Sequence, residues 1–244
     1  MLEEKFSFNI LKEDGCSRVG KINTKRGKID TPTFMTVGTQ GTIKAAFMDD
    51  IILADAQIIL SNTYHLMLQP SSEVIAAHGG LHKFMNWKGP MLTDSGGFQI
   101  FSLGHGTVAD EIKGRNLDNN RNISLIKVLE DGALFKSYID GSNQLLSPEK
   151  SINLQRKIGA DLILVLDECT PFHVDKIYTA NSMKRSHRWS KRSINSFQTN
   201  SVFNSCNSSA LNIVYFSYFE MNIPKLTAKI PKINDSDVYI MANW

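Results

Sequence analysis

Met91-Leu92-Thr93-Asp94-Ser95-Gly96-Gly97-Phe98 passes from apolar side chains to an acid, a hydroxyl, two glycines and an aromatic ring. That order suits the end of a buried strand opening into a tight loop. The strand end fixes the Asp94 carboxylate, and Gly96 and Gly97 let backbone N–H groups approach a ligand closely. Phe98 offers a flat face on which a planar group can stack. The segment reads as a pocket for a heterocycle with an acid beside it. The plainer reading makes Asp94 a turn-capping residue, and its neighbours Ser95 to Phe98 favour the pocket. It is not a dinucleotide fingerprint, because the third glycine and its spacing are missing.

The same arrangement recurs on both sides of this segment. Thr31 to Gly38 is a short apolar strand followed by Thr39-Gln40, and Ala54 to Ser61 is a second strand followed by Asn62-Thr63-Tyr64. Ala160 to Leu166 is a further strand, ending at Asp167-Glu168-Cys169. Between them, Ser71 to Gly79 reads as a helix stopped by Gly79-Gly80. Ser147-Pro148-Glu149 starts another, with serine as N-cap, proline at the first position and an acid in the first turn, running to Gly159. Apolar strands alternating with helices indicate a parallel sheet covered on both faces. Polar chemistry after several different strands favours an α/β barrel of the TIM type over a doubly wound sheet, although both put loops there. Phe6 to Ile10, and the pair Gly20–Thr24 with Gly27–Asp30, form an N-terminal β-hairpin region. Residues 104–144 read as an exposed insertion or hairpin, in which Ala133-Leu134-Phe135 and Tyr138-Ile139 form a strand before the Asp140-Gly141 turn.

Composition narrows the function class only modestly. The chain has 244 residues, 42% of them hydrophobic, and a formal charge of +3. This is compatible with nucleic acid without being diagnostic. Cys16, Cys169 and Cys206 are scattered, so no disulfide framework is expected, and the histidines lack zinc-ligand spacing. The N-terminus has no apolar secretory segment, and no apolar run reaches membrane-spanning length. A cytoplasmic soluble protein with no membrane contact is expected.

Two further sites have competing readings. Two acids at a buried strand end, Asp167 and Glu168, are expensive unless paired or used. They are either a salt-bridged pair or cap for the helix starting near Asp175, or Asp167 accepts hydrogen bonds from a ligand carrying adjacent donors, as guanine does. The run Lys184 to Arg192 is either a solvated helix face or a phosphate-contact surface, with Met183, Trp189 and Phe197 facing the core.

At these residues the chain resembles the tRNA-guanine transglycosylases, or queuine tRNA-ribosyltransferases. The resemblance runs from about Phe6 to about Phe197. It rests on Thr31 to Gly41, Ser61 to Leu66, Leu92 to Leu103, Ser147-Pro148-Glu149, Asp167 to Pro171 and Arg188 to Ser193. It implies a (β/α)8 barrel and exchange of guanine at the tRNA wobble position for queuine or a 7-deazaguanine precursor. It implies that Asp94 is the proton acceptor and that Asp94, Ser95, Gly96, Gly97 and Phe98 bind the base. It also implies that Asp167 reads the base's donor edge and that Cys169 lies in the pocket wall. tRNA and the base are the implied partners.

After Phe197 the character changes. Gln198 to Asn212 is rich in Asn and Ser, Ile213 to Phe219 is aromatic and apolar, and Pro224 to Trp244 shows no clear βα alternation. The family's later segments are not recognisable, including the one carrying the nucleophilic aspartate and the Cys/His zinc site. No metal ligand set or cofactor is therefore expected in this chain. The expected organisation is a barrel-like portion over residues 1–197, forming an incomplete barrel, and a divergent tail over residues 198–244. The change suggests a truncated or frame-shifted product that is inactive alone. The alternatives are a non-catalytic module binding tRNA or pairing with a complete subunit, a homodimer, or a degenerate fragment.

Overall fold

Strand-forming runs with alternating side chains begin the chain. In the computed structural model, which describes residues 6–105, 125–171, 174–199, 212–215 and 238–240, they form an antiparallel sheet of β1 (Ser7–Asp14), β2 (Ser17–Thr24) and β3 (Gly27–Thr31). A parallel sheet follows, built from β4 (Thr36–Val37), β5 (Ile59–Ser61), β6 (Met91–Thr93), β10 (Leu162–Leu164), β11 (Asn212–Tyr215) and β12 (Val238–Ile240). Its strands lie in chain order, with β4 at one end and β12 at the other. A third sheet, β7 (Leu125–Val128), β8 (Ala133–Lys136) and β9 (Asn143–Leu146), is an antiparallel meander inserted between β6 and β10.

The helices are α1 (Met48–Leu53), α2 (Thr63–Leu68), α3 (Ser72–Ala77), α4 (Leu81–Met85), α5 (Gly97–His105), α6 (Pro148–Ile158) and α7 (Lys176–Thr199). The sequence signals for α6 act as read. Ser147 Oγ accepts from the Lys150 N–H, and Gly159 ends the helix at φ +84°. Asp175 caps α7, its Oδ1 accepting from the Tyr178 N–H at 2.6 Å, so the cap is neither Asp167 nor Glu168.

Side-chain alternation divides the parallel sheet into two faces. Ile59 and Met91 meet Ile51, Leu66, Ile75, Leu81, Met85 and Ile158 from the helices. The register places Leu60 beside Leu92, and Leu92 beside Leu162, on the opposite face. There they meet Phe6, Ile22 and Ile29 of the first sheet. The N-terminal sheet therefore covers one face while helices cover the other. Gln155 of α6 is fully buried and clamps the sheet. Its amide oxygen accepts from Thr93 Oγ1 and the Leu164 N–H, and its amide nitrogen donates to the Leu164 carbonyl at 2.8 Å.

Several expectations change in detail. The strands predicted at Thr31–Gly38 and Ala54–Ser61 shrink to β4 and β5, because the intervening residues turn into α1 and out of it. The segment expected at residues 104–144 is an insertion, but its described part is not exposed throughout: Ala133 and Phe135 have no exposed surface and pack with Tyr64, Leu146, Leu166 and Trp189. Tyr138 and Ile139 lie in the β8–β9 turn rather than in a strand, since the Ser137 N–H bonds the Ser142 carbonyl at 2.9 Å. Residues 106–124 of that segment lie outside the described residues. Beyond residue 197 the backbone of β11 and β12 extends the parallel sheet, although no βα alternation is clear in the sequence after Pro224.

Candidate active site

Neighbouring parallel strands β6 and β10 end at the same edge of the sheet, and each is followed by an acid. Asp94 continues the β5–β6 ladder, its N–H donating to the Ser61 carbonyl at 3.2 Å. Its carboxylate is held by four donors. Oδ1 accepts from the Thr63 N–H at 2.8 Å and the Gly96 N–H at 3.2 Å. Oδ2 accepts from Asn62 Nδ2 at 2.5 Å and Gln99 Nε2 at 2.9 Å. Burial pushes the Asp94 carboxyl above the usual carboxylate range, and these hydrogen bonds pull against that rise. The result is an oriented carboxylate with enhanced proton affinity.

Asp167 follows β10. Burial is the main reason its carboxyl is pushed up to about 6, and the neighbouring charges of Asp94 and Glu168 raise it further. The Asp94 charge thus reaches Asp167 and disfavours its ionisation, as a neighbouring like charge does. Cys169 Sγ sits 3.9 Å from Asp167 Oδ2, a weak thiol contact. Burial, then the Asp167 charge, pushes the Cys169 thiol up, which disfavours the thiolate there.

Glu168 has a different job from its neighbour. Only 2% of it is exposed. Its carboxylate accepts from Arg185 Nη1 at 2.5 Å and Tyr178 Oη at 2.8 Å. Its N–H donates to Ser186 Oγ, and its carbonyl accepts from Ser182 Oγ. Of the two readings of this acid pair, the salt bridge belongs to Glu168, which anchors the strand end to α7, while Asp167 feels the charge of Asp94.

The glycines act between loops. Gly96 has φ +85°, and a Cβ there would approach the Tyr64 N and Leu146 Cδ2, both at 3.2 Å. At Gly97 a Cβ would fall 2.8 Å from the Asp167 carbonyl oxygen. Their N–H groups, which the sequence suggested for a ligand, bond internally to Asp94 Oδ1 and Ser95 Oγ. Ser95 is buried, and its carbonyl accepts from Ser151 Oγ at 2.7 Å. Phe98 is 54% exposed on the first turn of α5, available for stacking.

Asn62, Thr63 and Gln99 were not singled out from sequence as site residues. The signal was present: Asn62-Thr63 follows a buried strand in the same manner as Asp94. Only the pairing of β5 with β6 shows that both strand ends serve one carboxylate.

The three arginines of the α7 basic run pair with acids of this chain. Arg188 Nε and Nη2 grip Glu130 at 2.6 and 2.8 Å, and Arg192 Nε and Nη2 grip Glu149, each at 2.7 Å. With Arg185 on Glu168, these arginines form a clamp on the β7–β8 turn and the start of α6. Trp189 is fully buried, as expected, and Phe197 packs beside Ile152 and Ile163. Lys184, His187 and Lys191 remain exposed. Among the described residues, no three of His, Cys, Asp and Glu come together to hold a metal ion, and no helix is long and apolar enough to cross a membrane. Cys206 lies outside the described residues.

The sequence model of the family described as queuine tRNA-ribosyltransferase matches residues 14–221. The chain belongs to this family. A queuine tRNA-ribosyltransferase from Roseiflexus sp. (strain RS-1) is 54% identical over 188 residues, covering 76% of this chain and 47% of the relative. One from Protochlamydia amoebophila (strain UWE25) is 46% identical over 193 residues, covering 78% and 49%. One from Zymomonas mobilis subsp. mobilis is 46% identical over 195 residues, covering 80% and 46%. The chain therefore spans about half the length of the curated relatives it matches. The queuine tRNA-ribosyltransferase match includes every residue of the Asp94 and Asp167 constellation.

Proposed function

We propose that this chain carries the base-handling portion of a tRNA-guanine transglycosylase, a glycosyltransferase that exchanges guanine at the tRNA wobble position for queuine or a 7-deazaguanine precursor. The supporting observation is the pair of strand-end acids: Asp94, held by four donors, and Asp167, which feels the Asp94 charge and has no ion-pair partner among the described residues. In this reading Asp167 accepts hydrogen bonds from the donor edge of the purine, and Phe98 stacks on its ring. Asp94 takes up and returns the proton that distinguishes bound from free base. The raised proton affinity of Asp94 suits a group that takes up and returns a proton.

Exchange with retention at a glycosidic carbon needs a second carboxylate that attacks the ribose and holds it covalently. None of the described residues is assigned that role, and in this reading the chain on its own binds base without turning over. The same reading makes its sheet part of a (β/α)8 barrel. Strands in chain order, with helices on one face and the N-terminal sheet on the other, are the singly wound arrangement from which a barrel closes. It also places the protein with tRNA in the cytoplasm.

Calorimetric titration with guanine at pH 7.5 tests the proposal. Binding by the wild-type chain, lost in Asp94→Ala and in Asp167→Ala, is expected. No binding by a folded wild-type chain overturns it. A base-exchange assay with labelled guanine and tRNA should show no turnover. Salt-sensitive tRNA binding without guanine binding would instead favour a non-catalytic module that binds tRNA or pairs with a complete subunit.

A further inference from the structure

The β8–β9 turn brings an aromatic side chain to the same edge of the molecule as the paired acids. Tyr138 Oη lies 3.1 Å from His65 Nδ1 and accepts from Gln40 Nε2 at 3.4 Å. Its ring centre stands 6.0 Å from that of Tyr64 and 5.8 Å from that of His65. Yet Tyr138 as a residue stays 47% exposed, and Ile139 beside it 48%. His65 belongs to α2, whose first residues hold the Asp94 carboxylate, and the Asp94 charge acts on the imidazole. The hairpin turn is therefore pinned across the loops that follow β4 and β5. Its phenol is occupied and much of its aromatic surface is open.

An exposed aromatic held in one place is a stacking platform. Bases of a single-stranded loop, already unstacked, bind such rings through their faces whatever their sequence. From this geometry we infer that Tyr138, pinned by His65 and Gln40, stacks on a nucleotide flanking the exchanged base in a single-stranded RNA loop. This rests on the function proposed above and adds a second contact beyond the base pocket. Tyr138 acts on the RNA and not on the free base, because Asp94, Asp167 and Phe98 account for the base without it. Its hydroxyl serves to fix the ring, and the ring makes the contact.

Fluorescence anisotropy with a labelled RNA stem-loop carrying guanine at the middle of its loop, alongside guanine titrations, separates the possibilities. Tyr138→Ala should weaken stem-loop binding about tenfold, on the scale of losing one stacked base, and leave guanine affinity unchanged. Tyr138→Phe keeps the ring and should stay within roughly threefold of wild type. Unfolding midpoints of both variants should match wild type, since the residue is half exposed. Stem-loop affinity unaltered in Tyr138→Ala, or guanine affinity falling in parallel, overturns the inference. Wild-type chain that binds guanine but not the stem-loop overturns this inference alone. Failure to bind guanine as well overturns the function on which it rests.

Discussion

Asp94 and Asp167 show how position separates two chemically identical side chains. Asp94 is surrounded by donors that orient its carboxylate, while Asp167 is held mainly by its place beside Cys169 at the strand end. A carboxyl raised to about 6 in the fold, against an ordinary value of 3.8, binds more protons folded than unfolded between those two pH values. Its stabilising contribution is complete below about pH 3.8 and is lost as pH rises through about 6. Asp167→Asn should therefore stabilise the chain by about 2–3 kcal/mol at pH 7.5, and the gain should vanish near pH 4, as read by urea unfolding at both pH values. The same substitution should abolish guanine binding, which marks the acid as kept for use. Guanine affinity of the wild-type chain should fall as pH drops below about 6, tracking protonation of Asp167. Gly97→Ala meets backbone rather than a flexible side chain, so it should cost roughly 1–3 kcal/mol through overpacking and disturb the spacing of the acids.

At the scale of elements, α7 is fastened by packing more than by charge. The Arg188–Glu130 pair is about half exposed on both sides, and exposed pairs contribute little because water screens them. Trp189 lies beneath it with no exposed surface, its Nε1 donating to the Glu130 carbonyl at 2.8 Å. Glu130→Ala should therefore cost under about 1 kcal/mol, and Trp189→Ala about 3–5 kcal/mol, in equilibrium unfolding. Equal losses would show that the clamp, and not the buried indole, holds the helix. A run of basic residues in sequence carries no information on its partners. Here Glu130, Glu149 and Glu168, distant along the chain, pair with its three arginines, Arg188, Arg192 and Arg185.

Across the whole molecule, a second charged cluster ties the N-terminal sheet to the parallel sheet. Asp161 precedes β10 and accepts from Arg26 Nε at 2.8 Å and from the Met91 N–H at 2.9 Å, with His82 Nε2 at 2.9 Å. Arg26 comes from the β2–β3 turn and His82 from α4, so one buried carboxylate joins three parts of the fold. Removing one partner of such a cluster leaves buried charge uncompensated. Asp161→Ala should cost about 3–5 kcal/mol in urea unfolding while the guanine affinity of the folded fraction stays near wild type, because the cluster sits at the opposite strand ends from Asp94. The sequence alone determined the alternation of apolar strands and capped helices, the strand-end placement of Asp94 and Asp167, and the family, since these are written in local order and residue type. Tertiary structure decided which strand ends meet, that Asn62, Thr63 and Gln99 serve Asp94, that Glu168 is the paired acid, and that Gly97 makes room for a backbone oxygen and not a ligand. Each of those depends on contacts between residues far apart in the chain, which spacing along the chain does not encode.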